Sequence, residues 1–505
     1  MSRTDDLYSE LTRLLREAAV LGSCSNVLGW DEQTYMPSGG AEFRSEQLGM
    51  LAGMTHERAT SPRIGELLSE LETSSDLGEP DSDRAVNVRE ARRSYDRATK
   101  LPRRLVEELS RTVPLSQQAW VKAREDAEFP VFLPWLEKMI ALKREEAQAI
   151  GYGNGVPYDA LLDDYEPGMT AAEVARVFSP LRDELVKLVS AIQHSPKHPN
   201  TEILNRHFPK TPQIVVSDAA SRMIGFDFTR GRIDASAHPF CSGFGPGDCR
   251  LTTRYNDHHF PSAFFGVLHE SGHGIYEQGL PIDSFGLGIG QADSLGIHES
   301  QSRMWENFVG RSRSFWTYMF PTVREAFPVA LGDVSFDDFY FAINDVRPSF
   351  IRVEADEVTY NLHIMLRFEL EQLLVAGDLK PADVPGVWNE KFSQYFGLTV
   401  PNDSQGCLQD IHWSAGLLGY FPTYALGNMY SAQFFEAARR DLGDLDAAFA
   451  GGQFRPLKQW LNEKIHRHGK RYPAKRLVEL VTGTSLSHGP LVTHLKTKFG
   501  ELYGL

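Results

Sequence analysis

Apolar residues recur three and four positions apart along most of the chain, a spacing that predicts helices rather than strands. Leu7, Leu11, Leu14, Leu15 and Ala18 line one face of an opening helix expected to stop near Gly22. The same periodicity predicts helices over about residues 40–72, 80–100, 103–127, 130–150 and 171–193. Ser74 to Pro80 is a loop by its turn residues, and a polar, proline-containing stretch runs from His194 to Pro212. Strand-like sequence is scarce. Gln213–Val216 is one candidate. Arg232–Tyr255 is the other; Gly243, Gly245, Pro246 and Gly247 interrupt it and predict a short antiparallel element round a glycine-rich turn. After Pro261 the helical pattern returns and persists to the C-terminus. The expected fold is mainly α, with one small antiparallel β-sheet near the middle of the chain.

One pentad beside that sheet carries chemistry. His269-Glu270-Ser271-Gly272-His273 is an H-E-x-x-H sequence. Phe264, Phe265, Leu268, Ile275 and Tyr276 give it a helical setting, Ser262 is placed to cap the N-terminus, and Gly279 to end the helix. Two histidines at i and i+4 share a helix face, so both imidazoles can reach one zinc ion at ~2.0–2.1 Å. Glu270 lies one residue round, placed to hold a water and take its proton. A catalytic zinc takes a third protein ligand. Glu299, in the helix that Leu295 to Ser302 predicts, is the expected one, with Glu277 and Glu306 as rivals. His298 is expected beside the ligands or facing substrate.

Composition narrows the setting. The 505 residues carry 52 Lys+Arg against 67 Asp+Glu, a net charge of −15 that argues against nucleic acid as a partner. Lys464 to Arg471 is basic but lacks interleaved aromatics, and reads as a solvated face. Cys24, Cys241, Cys249 and Cys407 form no C-x-x-C pair and no disulfide framework. No apolar run is long enough to span a membrane, and the N-terminus does not read as a signal peptide. A cytoplasmic protein is expected.

Beyond the pentad, the chain resembles the Taq-carboxypeptidase family of zinc metallocarboxypeptidases, the thermostable carboxypeptidase type. The motifs that carry the resemblance are His238-Pro239-Phe240, Asp248-Cys249-Arg250-Leu251-Thr252, His269 to His273, His298-Glu299-Ser300-Gln301, Ile351 to Glu357 and Gly406 to Trp413. Trp30 to Thr34 with Met36-Pro37 also looks like the family's N-terminal region. The resemblance implies a large helical, gluzincin-like fold with a deep central groove, and usually a homodimer. It implies one catalytic unit over 1–505, with about 1–200 forming one wall and about 201–505 holding the zinc and substrate sites. It implies one Zn2+ per chain on His269, His273 and Glu299, with Glu270 as general base; cobalt or manganese could fill the same ligands. The implied reaction releases single C-terminal amino acids from peptides, with broad preference and poor release of proline. The alternatives are a zinc oligopeptidase or dipeptidyl peptidase, and a peptide-binding metalloprotein without turnover.

Such a reaction needs a cation for the substrate's free carboxylate, and an arginine offers paired donors. Arg352 is the first candidate and Arg250 the second, either with structural pairing to Asp248, Glu354 or Asp356 as the competing role; Arg347, followed by Pro348, is the third. His412, with Tyr420 or Tyr424, could donate to an oxyanion. Asp356 and Glu357 could orient histidines or pair structurally. His238 could line the cleft. His258-His259 reads as a polar turn.

Overall fold

The computed structural model describes residues 2–505. Helices make up 69% of it, and the sole sheet among the described residues has three strands, so the mainly-α expectation holds. The first helix, Arg3–Thr34, runs well past Gly22. A helical glycine costs only about 1 kcal/mol, and the extra turns bring Trp30 to bury against Phe244, ring centroids 6.5 Å apart. The expected helix over 40–72 is two, Ala41–Ala59 and Pro62–Glu72, broken ahead of Pro62. Asp83–Lys100, Arg103–Asp126, Phe129–Ile150 and Ala171–Gln193 match the pattern closely.

Two apolar cores result. Leu11, Ile64, Leu67, Leu68, Leu71 and Val88 form a small one among the N-terminal helices. A much larger one runs from Trp120 to Tyr503. Gln213–Val216, expected as a strand, lies inside the helix Lys210–Ile224. Its buried residues Gln213, Val216, Ser217, Ala220 and Ile224 follow the helical period while Val215 is exposed, and that period overrides the β-branched run.

The sheet is mixed rather than antiparallel. Its strands are β1 (Gly231–Ala235), β2 (Cys241–Gly245) and β3 (Asp248–Thr253), in the spatial order β1-β3-β2. β2 pairs antiparallel with β3 through the glycine-rich turn, as expected, but β1 lies parallel on the other side of β3. The segment Ser236–Phe240 carries the chain from one edge to the other. Ser236 Oγ and the Phe240 amide both bond Thr252 Oγ1, at 2.8 and 2.9 Å, which pins the crossover.

β3 packs on the helix Phe260–Gly279, which bears the pentad. That helix starts at Phe260 with Pro261 in its first turn, so Ser262 lies inside it and does not cap it. Gly279 is its last residue, as expected. The helix Leu295–Arg303 crosses it at Gly272, where a Cβ would lie 2.5 Å from Gln301 O. On its other side, Leu295–Arg303 meets the helix Pro422–Leu442 at Gly427, where a Cβ would lie 2.7 Å from the Cβ and Cγ of Glu299. Glu299 is thereby wedged between two closely approaching backbones. No helix among the described residues is long and apolar enough to cross a membrane.

Candidate active site

His269 and His273 emerge from adjacent turns of Phe260–Gly279, and Glu299 meets them from Leu295–Arg303. Glu299 Oε2 lies 3.6 Å from His269 Nε2 and 3.5 Å from His273 Nε2. All three donor atoms fall within 4.8 Å of one another. Tetrahedral ligands ~2.05 Å from one ion stand about 3.3–3.4 Å apart, so these carboxylate–imidazole spacings suit a shared divalent cation and are too long for hydrogen bonds.

The donor chemistry fits as well. Glu306 Oε2 accepts from His269 Nδ1 at 2.9 Å, leaving the Nε2 lone pair for the ion. Burial and the neighbouring His298 push His273 down to about 3, so it is a neutral imidazole. Burial would raise Glu299, but Arg303, His269 and His273 outweigh it and hold the carboxylate well below its usual range. Arg303 Nε donates to Glu299 Oε1 at 2.7 Å and Ser302 Oγ to Oε2 at 3.0 Å. Glu270 is buried beside the histidines; burial pushes it up to about 7, with Glu299 and Glu306 adding to the rise and His269 opposing it.

The rival carboxylates serve other groups. Glu306 steadies His269 from a π-helical turn, Met304–Val309, that continues Leu295–Arg303. Glu277 Oε1 holds His298 Nε2 at 2.9 Å, and the His298 ring stacks on His273 with centroids 4.4 Å apart.

A second cluster faces this one. His412 Nε2 stands 3.4 Å from Tyr424 Oη, and the Tyr420 and Tyr424 rings lie 5.3 Å apart. Burial drives His412 down to about 4, so its ring is neutral. Arg352 is buried next to them, 5.2 Å from the Tyr424 ring centre. Its Nε and Nη2 donate to Asp410 Oδ1 at 2.9 and 2.8 Å, and its Nη1 to Tyr360 Oη at 3.0 Å. An arginine has five N–H groups, so one on each terminal nitrogen remains for a ligand. Tyr360 links the clusters, since Arg303 lies over its ring at 4.4 Å.

The comparisons with known proteins agree with this geometry. The model of the "Carboxypeptidase Taq (M32) metallopeptidase" family matches residues 10–499. The chain belongs to this family. It is 46% identical over 505 residues to thermostable carboxypeptidase 1 of Thermus thermophilus, covering 98% of this chain and 99% of that one. Carboxypeptidase 1 of Bacillus subtilis is 39% identical, covering 98% of both. The crystal structure of the M32 carboxypeptidase from Deinococcus radiodurans R1 superposes with a TM-score of 0.96 at 40% identity, covering 99% of this chain and 100% of that one. The chain is thus a metallocarboxypeptidase, a peptide hydrolase.

Within this Taq-family frame, not every expected residue joins the cluster. Arg250 gives both Nε and Nη2 to Asp248, at 2.9 and 2.8 Å, and packs 4.3 Å from the Trp30 ring. Both Nη1 hydrogens and one on Nη2 stay free of side-chain partners. His238 is exposed at the crossover, where its carbonyl accepts from Ser236 Oγ at 2.5 Å. Arg347 pairs with Asp345 and is largely exposed. Asp356 caps the amides of Val358 and Thr359, and Glu357 holds His494 and Lys498, so neither touches His269 or His273. The tract 464–471 is not a solvated face throughout: His466 is buried, bonding Gln301 Oε1 at 2.8 Å. An apolar Ile465 on one side and Gly469 on the other turn it inward.

Arg303, Glu306, Tyr360 and Asp410 gained no role from sequence, apart from Glu306 as a rival ligand. Arg303 stands at i+4 from Glu299, a spacing that signals an ion pair. Asp410 lies inside the Gly406–Trp413 motif and carried no separate signal.

Proposed function

We propose that this chain releases single C-terminal amino acids from peptides of broad sequence, with one zinc ion held by His269, His273 and Glu299. The observation that carries the reading is the convergence of those three donors beside a buried Glu270 whose proton affinity lies near neutrality. A divalent cation there supplies Lewis-acid polarisation of a carbonyl and makes a nearby water more acidic.

The protein's own groups do the rest. Glu270 takes the water's proton and passes it to the departing amine. His412 and a tyrosine, Tyr424 or Tyr420, donate to the oxygen on which negative charge develops. Arg352 grips the substrate's terminal carboxylate with its two free N–H groups, held in place by Asp410 and Tyr360. Arg250, with Nη1 free, is the second candidate for that carboxylate, and His238, exposed at the crossover, is placed to line the cleft. His298 steadies His273 from its stacked position.

The reading extends to one catalytic unit, the N-terminal helices forming a wall of the groove, acting as a cytoplasmic homodimer. Cobalt and manganese are expected to support turnover in place of zinc. The deciding assay gives purified protein one peptide as the free acid and as the C-terminal amide, with and without chelator. Stepwise loss of single residues from the free acid alone, abolished by chelator, is the expected result. Internal fragments or dipeptides would replace the reading with an oligopeptidase or dipeptidyl peptidase.

A further inference from the structure

Two thiols of the sheet take no part in the reaction described above. In the antiparallel register Cys241 faces Leu251 and Cys249 faces Gly243. Residues two apart on a strand share a face, so both sulfurs project from one side of the sheet. They lie 3.6 Å apart. A disulfide requires ~2.05 Å, so closure needs a movement of about 1.5 Å. Cys249 is buried on the central strand, with β1 and β2 bonded on either side and its amide on Arg230 O at 3.0 Å. Cys241 is half-buried at the start of the edge strand β2. β2 is bonded to a neighbouring strand on one side only, so it is the less firmly held of the two.

Space for a small oxidant adjoins the pair. Cys249 lines a cavity of about 320 Å³ shared with Asn26, Gly243, Glu277 and Gln291. The path from β2 to the metal ligands is short. A Cβ on Gly243 would lie 2.9 Å from Glu277 Oε2, so the β2 backbone abuts that carboxylate. Glu277 holds His298, and His298 stacks on His273.

We propose that Cys241 and Cys249 form a reversible thiol–disulfide site, oxidised by peroxides, whose closure drags β2 against Glu277 and loosens the support of His273. Cys249 Sγ attacks one peroxide oxygen, the O–O bond breaks, and a sulfenic acid and water result. Cys241 Sγ then attacks the Cys249 sulfur, the S–O bond breaks, and the hydroxyl leaves as water with the Cys241 proton. The two thiols lose two electrons and two protons, and hydrogen peroxide becomes two waters. Hydrogen bonding to Cys249, burial and the nearby Glu277 and Glu270 push the Cys241 thiol up, which makes it the poorer nucleophile toward peroxide, while its 3.6 Å distance from Cys249 Sγ places it for the second step. A small thiol reverses the bond through a mixed disulfide.

The test uses the full-length, zinc-loaded chain and hydrogen peroxide, followed by alkylation in denaturant, tryptic mapping and a peptidase assay. Arg232 and Arg250 bound one tryptic peptide, 233–250, that holds both thiols and no other cysteine. That peptide is expected to become lighter by two hydrogens and to refuse alkylation. Activity should fall about tenfold, the lower end of what losing a residue that steadies a metal ligand costs, and dithiothreitol should restore both readouts. Cys241→Ser should keep its activity through peroxide, whereas Cys24→Ser, which removes an exposed thiol, should respond like the unaltered chain. Full alkylation of 233–250 after peroxide would overturn the proposal, and so would a closed disulfide at undiminished activity. The mapping does not depend on the substrate reading, so failure of one leaves the other intact.

Discussion

Arg303 Nε grips Glu299 Oε1 at 2.7 Å, one helical turn away, so that Oε2 alone faces His269 and His273. The same guanidinium reaches Glu306 Oε2 through Nη1 at 3.1 Å, and Glu306 in turn fixes His269. One buried cation therefore orients two of the three candidate ligands. Arg303→Met is expected to weaken zinc binding by about tenfold or more. Competition against a chromogenic chelator measures this directly, with circular dichroism to confirm folding. Unaltered zinc affinity in a folded variant would dismiss Arg303 as the orienting group.

The candidate ligands were legible because their chemistry is written in spacing. Two histidines at i and i+4 need only a helix to converge, and the apolar flanks of the pentad supply one. Glu306 was legible only as a rival for the metal. Its place on His269 depends on the Met304–Val309 turn adopting i→i+5 hydrogen bonds, which no periodicity announces. Arg352, Asp410 and the helix Thr359–Ala376, which carries both Tyr360 and Arg367, meet from three stretches of chain, so their network is a property of packing. The parallel pairing of β1 was hidden for a related reason. The sequence pattern marks Arg232–Tyr255 and its glycine-rich turn but not the crossover Ser236–Phe240, which bonds to Thr252 and Thr253 hold across β3.

Asp410 is shared by two buried arginines, Arg352 through Oδ1 and Arg367 Nε through Oδ2 at 2.6 Å. The two cations hold its carboxyl far below the usual range despite its burial. Removing the shared anion leaves two charges buried without a partner, a loss of about 3–5 kcal/mol where a buried pair is broken. Asp410→Ala should therefore lower the denaturant midpoint by that equivalent at an unaltered slope. A midpoint within error of the parent would mean that water, not Asp410, compensates these arginines.

Glu166 gives a pH dependence with a definite sign. It is fully buried, accepts from Tyr430 Oη at 2.7 Å and from the Gly296 amide at 3.1 Å, and burial pushes it up to about 7. Asp293, also buried, is pushed up by burial and by Glu166 itself. A carboxyl raised above its unfolded value of 4.5 binds its proton more tightly when folded. Its stabilising contribution is complete below about 4.5 and disappears as pH rises through about 7. Glu166→Gln keeps the shape and stays neutral. Its melting temperature relative to the parent should rise between pH 5 and pH 8; a constant difference across that range would show that Glu166 does not titrate there.

Gly427 offers a test in which two effects oppose each other. It sits within Pro422–Leu442, where alanine is favoured over glycine by about 1 kcal/mol on helix propensity alone. A methyl group there, however, lies 2.7 Å from the Cβ and Cγ of Glu299. Glu299 cannot retreat, because its helix is pressed against Gly272 on the far side. Overpacking of this kind costs about 1–3 kcal/mol, so the steric effect should win. Gly427→Ala is expected to melt lower than the parent and to bind zinc more weakly, as Glu299 is pushed from its place between the histidines. Gly386→Ala, also within a helix and with nothing inside 4 Å of its Cβ, should be as stable as the parent or more so. If Gly427→Ala instead gained stability and kept its zinc affinity, the contact between these two helices would not be what positions Glu299.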